Sequence, residues 1–258
     1  MYRFTHAIVR APGGSVVRGL RSSGAGDPDP AAFLAQHRDY VAALEDAGLD
    51  VTVLPALEDF PDSVFVEDAA LCLPGTAITL KPGAPTRAGE TAALRPILGK
   101  RFDSVIELPG DGTVDGGDVL FAGEEAFIGL SARTDEEGCA ALSSVLADLG
   151  YRVRRVASPP GVLHLKSDCG LLDSETIFAT RRLAASGCFS GYRVIEAPGG
   201  EEAAANLVRV NDVVLLRSGF PRARTLLEAA GFALKILDAD QAALVDGGLS
   251  CMSLRFAR

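Results

Sequence analysis

One pattern constrains this chain more than any other. A short apolar strand, a tight turn, a second strand and a polar loop recur in segments that open at Asp68, Asp118, Asp168 and Asn206, spaced by 50, 50 and 38 residues. A further 44 residues reach Ser250, where LSCMSLRF supplies another strand. Each pair of apolar runs brackets a hairpin dipeptide: Pro74-Gly75, Gly123-Glu124, Asp173-Ser174 and Asn211-Asp212. No such unit can bury its own apolar face, so repeats near this length imply a radial or solenoid arrangement. A strand at His6 to Arg10, a helix and the run Val51 to Leu54 would close a ring with the last strand. Asp68, Asp118, Asp168, Asn206 and Ser250 would then meet near its centre. An ordinary αβ sandwich whose acids merely cap turns satisfies the same repeats, and they leave both architectures open.

Between the hairpins lie helix signals. Thr134-Asp-Glu-Glu137 reads as a capping box, followed by Leu142, Val145, Leu146 and Leu149 and closed by Gly150. Pro30 to Gly48 carries Phe33, Leu34, His37, Val41 and Leu44 on one stripe, and Pro221 opens a short helix that Gly231 ends. The Gly/Asp/Pro stretch from Ser22 to Pro30 reads as a mobile loop. With no domain boundary in sight, residues 1–258 read as one domain. Hydrophobic residues make up 48% and charged residues 23%, which excludes disorder and coiled coil. Apolar runs fall short of a membrane span and the N-terminus lacks a signal-peptide pattern, so a cytoplasmic protein is expected. Acidic groups exceed basic ones for a net charge of −9, which disfavours nucleic acid and suits a cationic small molecule.

Few residues can carry chemistry. Of three histidines, His37 sits on an apolar helical stripe and His6 in the first strand, both structural positions, whereas His164 in Val162-Leu-His-Leu-Lys precedes a repeat start. Five cysteines form no CxxC pair and, being odd in number, no closed disulfide framework. Cys251 follows Asp246-Gly-Gly-Leu-Ser, where two glycines would let backbone approach a ligand. Acids gather at Asp62, Glu67 and Asp68 around Val64-Phe65-Val66, and at Asp115 and Asp118 beside a glycine pair. Read as a strand, Asp62, Val64, Val66 and Asp68 share a face and Glu67 points the other way. Acids inside apolar strands are costly unless paired, so two such clusters point to a cation site. No HxxH, HExxH or CxxC spacing supports a metal.

Seven segments in order, FPDSVFVED (60–68), PGAPTRAGE (82–90), TVDGGD (113–118), GLSARTDEEG (129–138), VLHLKS (162–167), AAN (204–206) and DGGLSCMSLRF (246–256), resemble the dimethylarginine dimethylaminohydrolases. The resemblance implies an α/β fold, a five-bladed ββαβ propeller of the pentein superfamily, with pseudo-fivefold repeats around a central active site. It implies hydrolysis of Nω-methylated L-arginine to L-citrulline and methylamine or dimethylamine. On matching positions, Cys251 is similar to the nucleophile, His164 to the general acid/base and Asp115 to the third, carboxylate member. Asp68 matches the guanidinium anchor with Glu67 behind it, and Asp62 the α-ammonium ligand, helped by the carbonyls of Leu20 and Val245. Phe65 falls among the substrate contacts, and Arg87 with Arg133 matches the pair that receives the α-carboxylate. No metal or cofactor is implied, and the expected assembly is a monomer or homodimer. Gly13 to Leu20, with Arg18, resembles the family's substrate-covering lid only loosely, and the blade between His164 and Asn206 matches poorly. Two alternatives remain: an enzyme acting on another guanidine amino acid, such as L-arginine with loss of ammonia, and a non-catalytic, ribosome-binding propeller. The latter predicts loss of the central Cys, His and carboxylate, and all three are present.

Overall fold

The computed structural model describes residues 2–22 and 24–258, so Ser23 of the glycine-rich loop lies outside the described residues. Five three-stranded sheets stand around one axis. Each begins with a 3-10 turn, runs through an antiparallel hairpin, crosses a helix and returns as a third strand parallel to the second. The sequence-derived hairpins supply the inner two strands. Ala70–Leu73 pairs with Thr76–Thr79, Val119–Ala122 with Glu125–Leu130, Cys169–Leu171 with Thr176–Ala179, and Val208–Val210 with Val213–Arg217. Their outer partners are Ser104–Glu107, Arg152–Ala157, Arg193–Glu196 and Ala233–Leu237. The fifth sheet joins the two ends of the chain: Ser253–Phe256 lies antiparallel to His6–Arg10, which lies parallel to Asp50–Leu54. Ring closure through the chain ends settles the choice left open by the repeats in favour of the five-bladed propeller.

Why the blades need one another is visible in the core. Alternate residues of a strand face opposite sides of its sheet, and both sides of each blade are apolar. Ile8 packs with Ala70, Cys72 and Ala77 of the next blade, while its neighbours Ala7 and Val9 pack with Val208, Val210 and Leu215 of the preceding one. Three further clusters fill the remaining gaps, for example Leu71 and Ile78 against Val119, Ile128 and Leu142. Five seams, each shared by two blades, replace a single central core. The hub is thereby left free for polar groups.

Helices span Pro30–Asp46, Glu90–Arg101, Glu136–Asp148, Arg181–Ala184, Pro221–Ala229 and Asp240–Ala243. Asp29 caps the first by accepting from Ala31 N and Ala32 N. The third is capped by Asp135, which accepts from Gly138 N, and not by Thr134 as the sequence reading had it. Thr134 instead points inward and donates to Asp118. Glu90–Arg101 contains Pro96 and Gly99, both breakers, and so carries no clear helical signature. No helix among the described residues is long and apolar enough to cross a membrane. His37 is buried, and burial lowers its pKa to about 4, whereas His6 stacks on Phe256 with ring centroids 5.4 Å apart.

Candidate active site

The five 3-10 turns, Val66–Ala69, Gly116–Asp118, Leu165–Ser167, Glu202–Ala205 and Ser250–Met252, carry the repeat residues to or beside the hub. The segment around Asp68 is therefore a loop and a 3-10 turn, not the strand whose alternation was used to sort its acids. In three blades the repeat residue clasps the next turn. Asp68 accepts from Gly117 N at 2.9 Å, Asp118 from Leu165 N at 2.9 Å, and Asn206 from Ser250 N at 3.2 Å. Asp168 breaks the pattern and turns to Thr180 and Arg182.

On one side of the hub a cavity of about 40 Å³ brings together most of the expected groups. Cys251, His164, Asp115, Asp68, Asp62, Phe65, Arg87, Arg133, Leu20 and Val245 all line it. That volume is tight for an amino acid, and Leu20 of the neighbouring loop forms part of its wall. The loop is the stretch from Gly13 to Ser22. Glu58 accepts from Gly14 N and Ser15 N, Asp62 from Leu20 N at 2.9 Å, and Asp246 from the backbone and hydroxyl of Ser22. Sequence reasoning missed Asp246 as a latch. It sits at φ 56, a left-handed conformation that Asp tolerates better than most residues.

Asp115 and His164 occupy equivalent places, each immediately before a 3-10 turn, and meet with His164 Nε2 2.9 Å from Asp115 Oδ2. An ionised carboxylate can only accept, so Nε2 carries the hydrogen. The second Asp115 oxygen accepts from Gly83 N at 2.7 Å. Burial pulls the His164 pKa down, but Asp68, the hydrogen bond to Asp115 and the charge of Asp118 outweigh it and push it up to about 9. At neutral pH His164 is an imidazolium. Cys251 is moved the other way: burial, then the charges of Glu67 and Asp68, push its thiol up to about 11. Both shifts favour the thiol of Cys251 and the imidazolium of His164 over a thiolate. Donor atoms of Asp68, Asp115 and His164 lie within 4.8 Å of one another, close enough to share a cation.

Gly117 makes that closeness possible. A Cβ there would stand 2.8 Å from His164 Nδ1 and 2.9 Å from Asp68 Oδ1. Gly247 and Gly248 make room for protein, and Gly247 also forms part of the cavity wall. Their missing Cβ atoms would strike the Phe65 ring and the Asn206 side chain. Asn206, expected near the centre as a repeat opener but given no part in the site, donates its amide to Cys251 Sγ at 3.9 Å.

Two expectations need correction. Glu67 does not line this cavity; it opens on a second one, of about 110 Å³, on the far side of the hub. There its Oε1 bridges Lys166 Nζ at 2.7 Å and Arg255 Nη2 at 3.0 Å. Successive residues of a 3-10 turn point about 120° apart, and Glu67 and Asp68 line different cavities. Arg87 is also less available than an open fork. Its Nε and Nη2 grip both oxygens of Glu90 at 3.0 and 2.7 Å, Nη1 reaches Asp68 Oδ2 at 2.5 Å, and Nη2 donates to Phe65 O at 2.8 Å. Four of five N–H groups are committed, leaving one on Nη1. Arg133 forms no ion pair among the described residues, so it is the freer of the two. Glu90, which fixes Arg87, carried no signal in the sequence beyond its place in a quoted motif.

Comparison with known proteins adds independent findings. The family model described as N,N dimethylarginine dimethylhydrolase, eukaryotic, matches residues 29–165. The chain is 39% identical over 254 residues to the N(G),N(G)-dimethylarginine dimethylaminohydrolase of Pseudomonas aeruginosa, covering 98% of this chain and 100% of that one. A protein of the same name from Streptomyces coelicolor is 32% identical over 253 residues, covering 96% of each. The Pseudomonas aeruginosa structure of a cysteine-to-serine variant complexed with citrulline superposes with a TM-score of 0.96 at 38% identity, covering 99% of this chain and 100% of that one. The N-terminal domain of the cyanobacterial arginine dihydrolase ArgZ shares the fold at a TM-score of 0.85 and 17% identity, covering 98% and 97%.

Proposed function

The chain belongs to the dimethylarginine dimethylaminohydrolase family, and on that premise we propose that it hydrolyses Nω-methylated L-arginine to L-citrulline, releasing dimethylamine or methylamine. The observation that carries this reading is the meeting of Cys251, His164, Asp115 and Asp68 in one cavity, within a chain similar along nearly its whole length to a protein named for that activity.

The chemistry follows from the charges. A guanidinium carbon is a poor electrophile because resonance spreads its positive charge. Asp68, ionised because Arg87, His164 and Gly117 N outweigh the effect of its burial, orients the cation and localises that charge. The cation in turn stabilises the thiolate, so Cys251 gives up its proton to solvent as substrate arrives, His164 being already protonated. The sulfur adds to the guanidinium carbon and forms a tetrahedral adduct. His164, already protonated, gives its proton to the substituted nitrogen as the C–N bond breaks, and the amine departs neutral. A thiouronium cation remains on Cys251. Neutral His164 now takes a proton from water and the hydroxide adds to the same carbon. The C–S bond then breaks, the sulfur leaves as thiolate, and the added hydroxyl gives up its proton to the sulfur or to solvent as the carbonyl of citrulline forms. Asp115 keeps the imidazole oriented through both halves.

At the other end of the substrate, Asp62 with the carbonyls of Leu20 and Val245 meets the α-ammonium, and Arg133 with the remaining N–H of Arg87 meets the α-carboxylate. The deciding experiment incubates the protein with asymmetric dimethylarginine, monomethylarginine and arginine and quantifies citrulline, both methylated amines and ammonia. Citrulline with dimethylamine or methylamine is expected; a folded sample that yields citrulline from none of them refutes the proposal, and one that prefers arginine makes it a deiminase. Arg133→Ala is expected to raise KM by about 10- to 150-fold, the equivalent of one charge-assisted bond, with a smaller change in kcat. Unchanged steady-state kinetics would remove Arg133 from the site.

A further inference from the structure

Asp118 is fully buried and touches no part of the cavity, yet its carboxylate lies between the two ends of the site. Its Oδ1 accepts from Leu165 N, the residue after His164, at 2.9 Å. Its Oδ2 accepts from the hydroxyls of Ser131 and Thr134, each at 2.7 Å. Those hydroxyls in turn hold backbone: Ser131 Oγ accepts from Arg133 N at 3.0 Å and Thr134 N at 3.2 Å, and Thr134 Oγ1 accepts from Asp115 N at 3.2 Å. We propose that Asp118 is a positioning residue that fixes His164 and Arg133 relative to each other, so that the proton donor and the receiver of the substrate's α-carboxylate are registered by one buried carboxylate. The inference rests on the substrate reading above for the role of Arg133.

Satisfiability shows why this position requires an acid. A hydroxyl has one hydrogen and two lone pairs. Both lone pairs of Ser131 are taken by backbone N–H groups, so its hydrogen must go to Asp118. Leu165 N is a donor as well. All three partners give hydrogens, and only a group with two accepting oxygens receives them. An Asn in this place presents its NH₂ either to Ser131, which has no lone pair left, or to Leu165 N, donor against donor. One limb of the network must break whichever way the amide turns. Burial raises the Asp118 pKa, against the opposing charge of His164 and the hydrogen bonds from Ser131, Thr134 and Leu165 N. Its charge is also one of three acidic charges, with Asp68 and Asp115, that favour the imidazolium of His164; Cys251, Arg87 and Arg133 line the same cavity.

The test separates the two limbs. Asp118→Asn is expected to melt cooperatively, with kcat on dimethylarginine lowered and KM raised, about 10-fold or more in the limb that breaks. Ser131→Ala, which releases Arg133 N and Thr134 N but leaves Leu165 N on Asp118, should raise KM about 10-fold with a smaller change in kcat. In an Arg133→Ala background Ser131→Ala should add nothing, whereas a residue of merely structural importance costs the same in both backgrounds. Wild-type kinetics in Asp118→Asn, or equal Ser131→Ala effects in both backgrounds, would overturn the proposal. If Asp118→Asn does not fold, the Ser131 and Arg133 cycle decides alone. A wild-type chain that turns over no methylated arginine refutes the substrate reading instead. The His164 limb is then read by ring NMR, which needs to resolve only three histidines: Asp118→Asn lowers the titration midpoint of His164, and an unmoved midpoint overturns the link.

Discussion

Cys251→Ser is expected to leave a folded chain that releases no measurable citrulline, a loss of about 10⁴-fold or more. The residue is buried, at 9% exposure, and replacing sulfur by oxygen removes little volume. A serine hydroxyl in the same surroundings ionises far less readily than a thiol. Burial and the negative charges of Glu67 and Asp68 already push the thiol up to about 11. The guanidinium of the substrate can bring a thiol within reach of ionisation, but not an alcohol. Alkylation gives a second reading of the same physics. Iodoacetamide should modify Cys251 slowly at neutral pH and faster as pH rises toward 11, because only the thiolate attacks. Cys72, Cys139 and Cys169 are buried and Cys188 is half-buried, so the modified peptide is identified by mass. Turnover at the wild-type rate in Cys251→Ser would end the covalent route; rapid alkylation at pH 7 in the empty enzyme would show a resting thiolate and displace the substrate cation from its role.

The hairpins were legible in the sequence because turn dipeptides and apolar alternation are local. The third strands were not. Ser104–Glu107 is short and mostly exposed and Ala233–Leu237 is half-buried, and both pair along the edge that a neighbouring strand offers. Glu90–Arg101 hid behind Pro96 and Gly99, breakers tolerated where the helix has packed Leu94 and Leu98 against a blade seam. The site residues were found through motif resemblance, which says nothing about the side a group faces. The resemblance thus grouped Glu67 with Asp68 at the substrate, whereas the alternation read from the residues had sent Glu67 the other way, and the two line different cavities. Residues that act through others, such as Asp118, Glu90 and Asn206, have no motif of their own. Their significance lies in which backbone N–H or guanidinium they hold, a property of the folded ring alone.

His164→Asn is expected to lower kcat by about 10²- to 10⁴-fold while changing KM much less, because proton transfer is confined to the transition state. Two steps need that proton, and they respond differently to the leaving group. An alkylamine cannot depart as an anion, so with dimethylarginine the variant stalls before the C–N bond breaks. A substrate analogue that releases a thiolate needs no acid. The variant should therefore form its covalent adduct on Cys251, then accumulate it because no base activates water, and intact-protein mass resolves the two cases. Absence of any adduct from a thiolate-releasing analogue would assign His164 to an earlier step. The pH profile offers a further check. In the wild-type protein the acid disappears as pH rises through about 9, so turnover falls there. Stability follows the same proton: the folded pKa lies above the ordinary 6.5, so the contribution is complete below 6.5 and is lost as pH rises through about 9. Over that window the melting temperature of the wild-type chain should decline more than that of His164→Asn. Parallel declines would mean that the buried imidazole is not the group titrating, and the pairing with Asp115 and Asp68 would lose its electrostatic meaning.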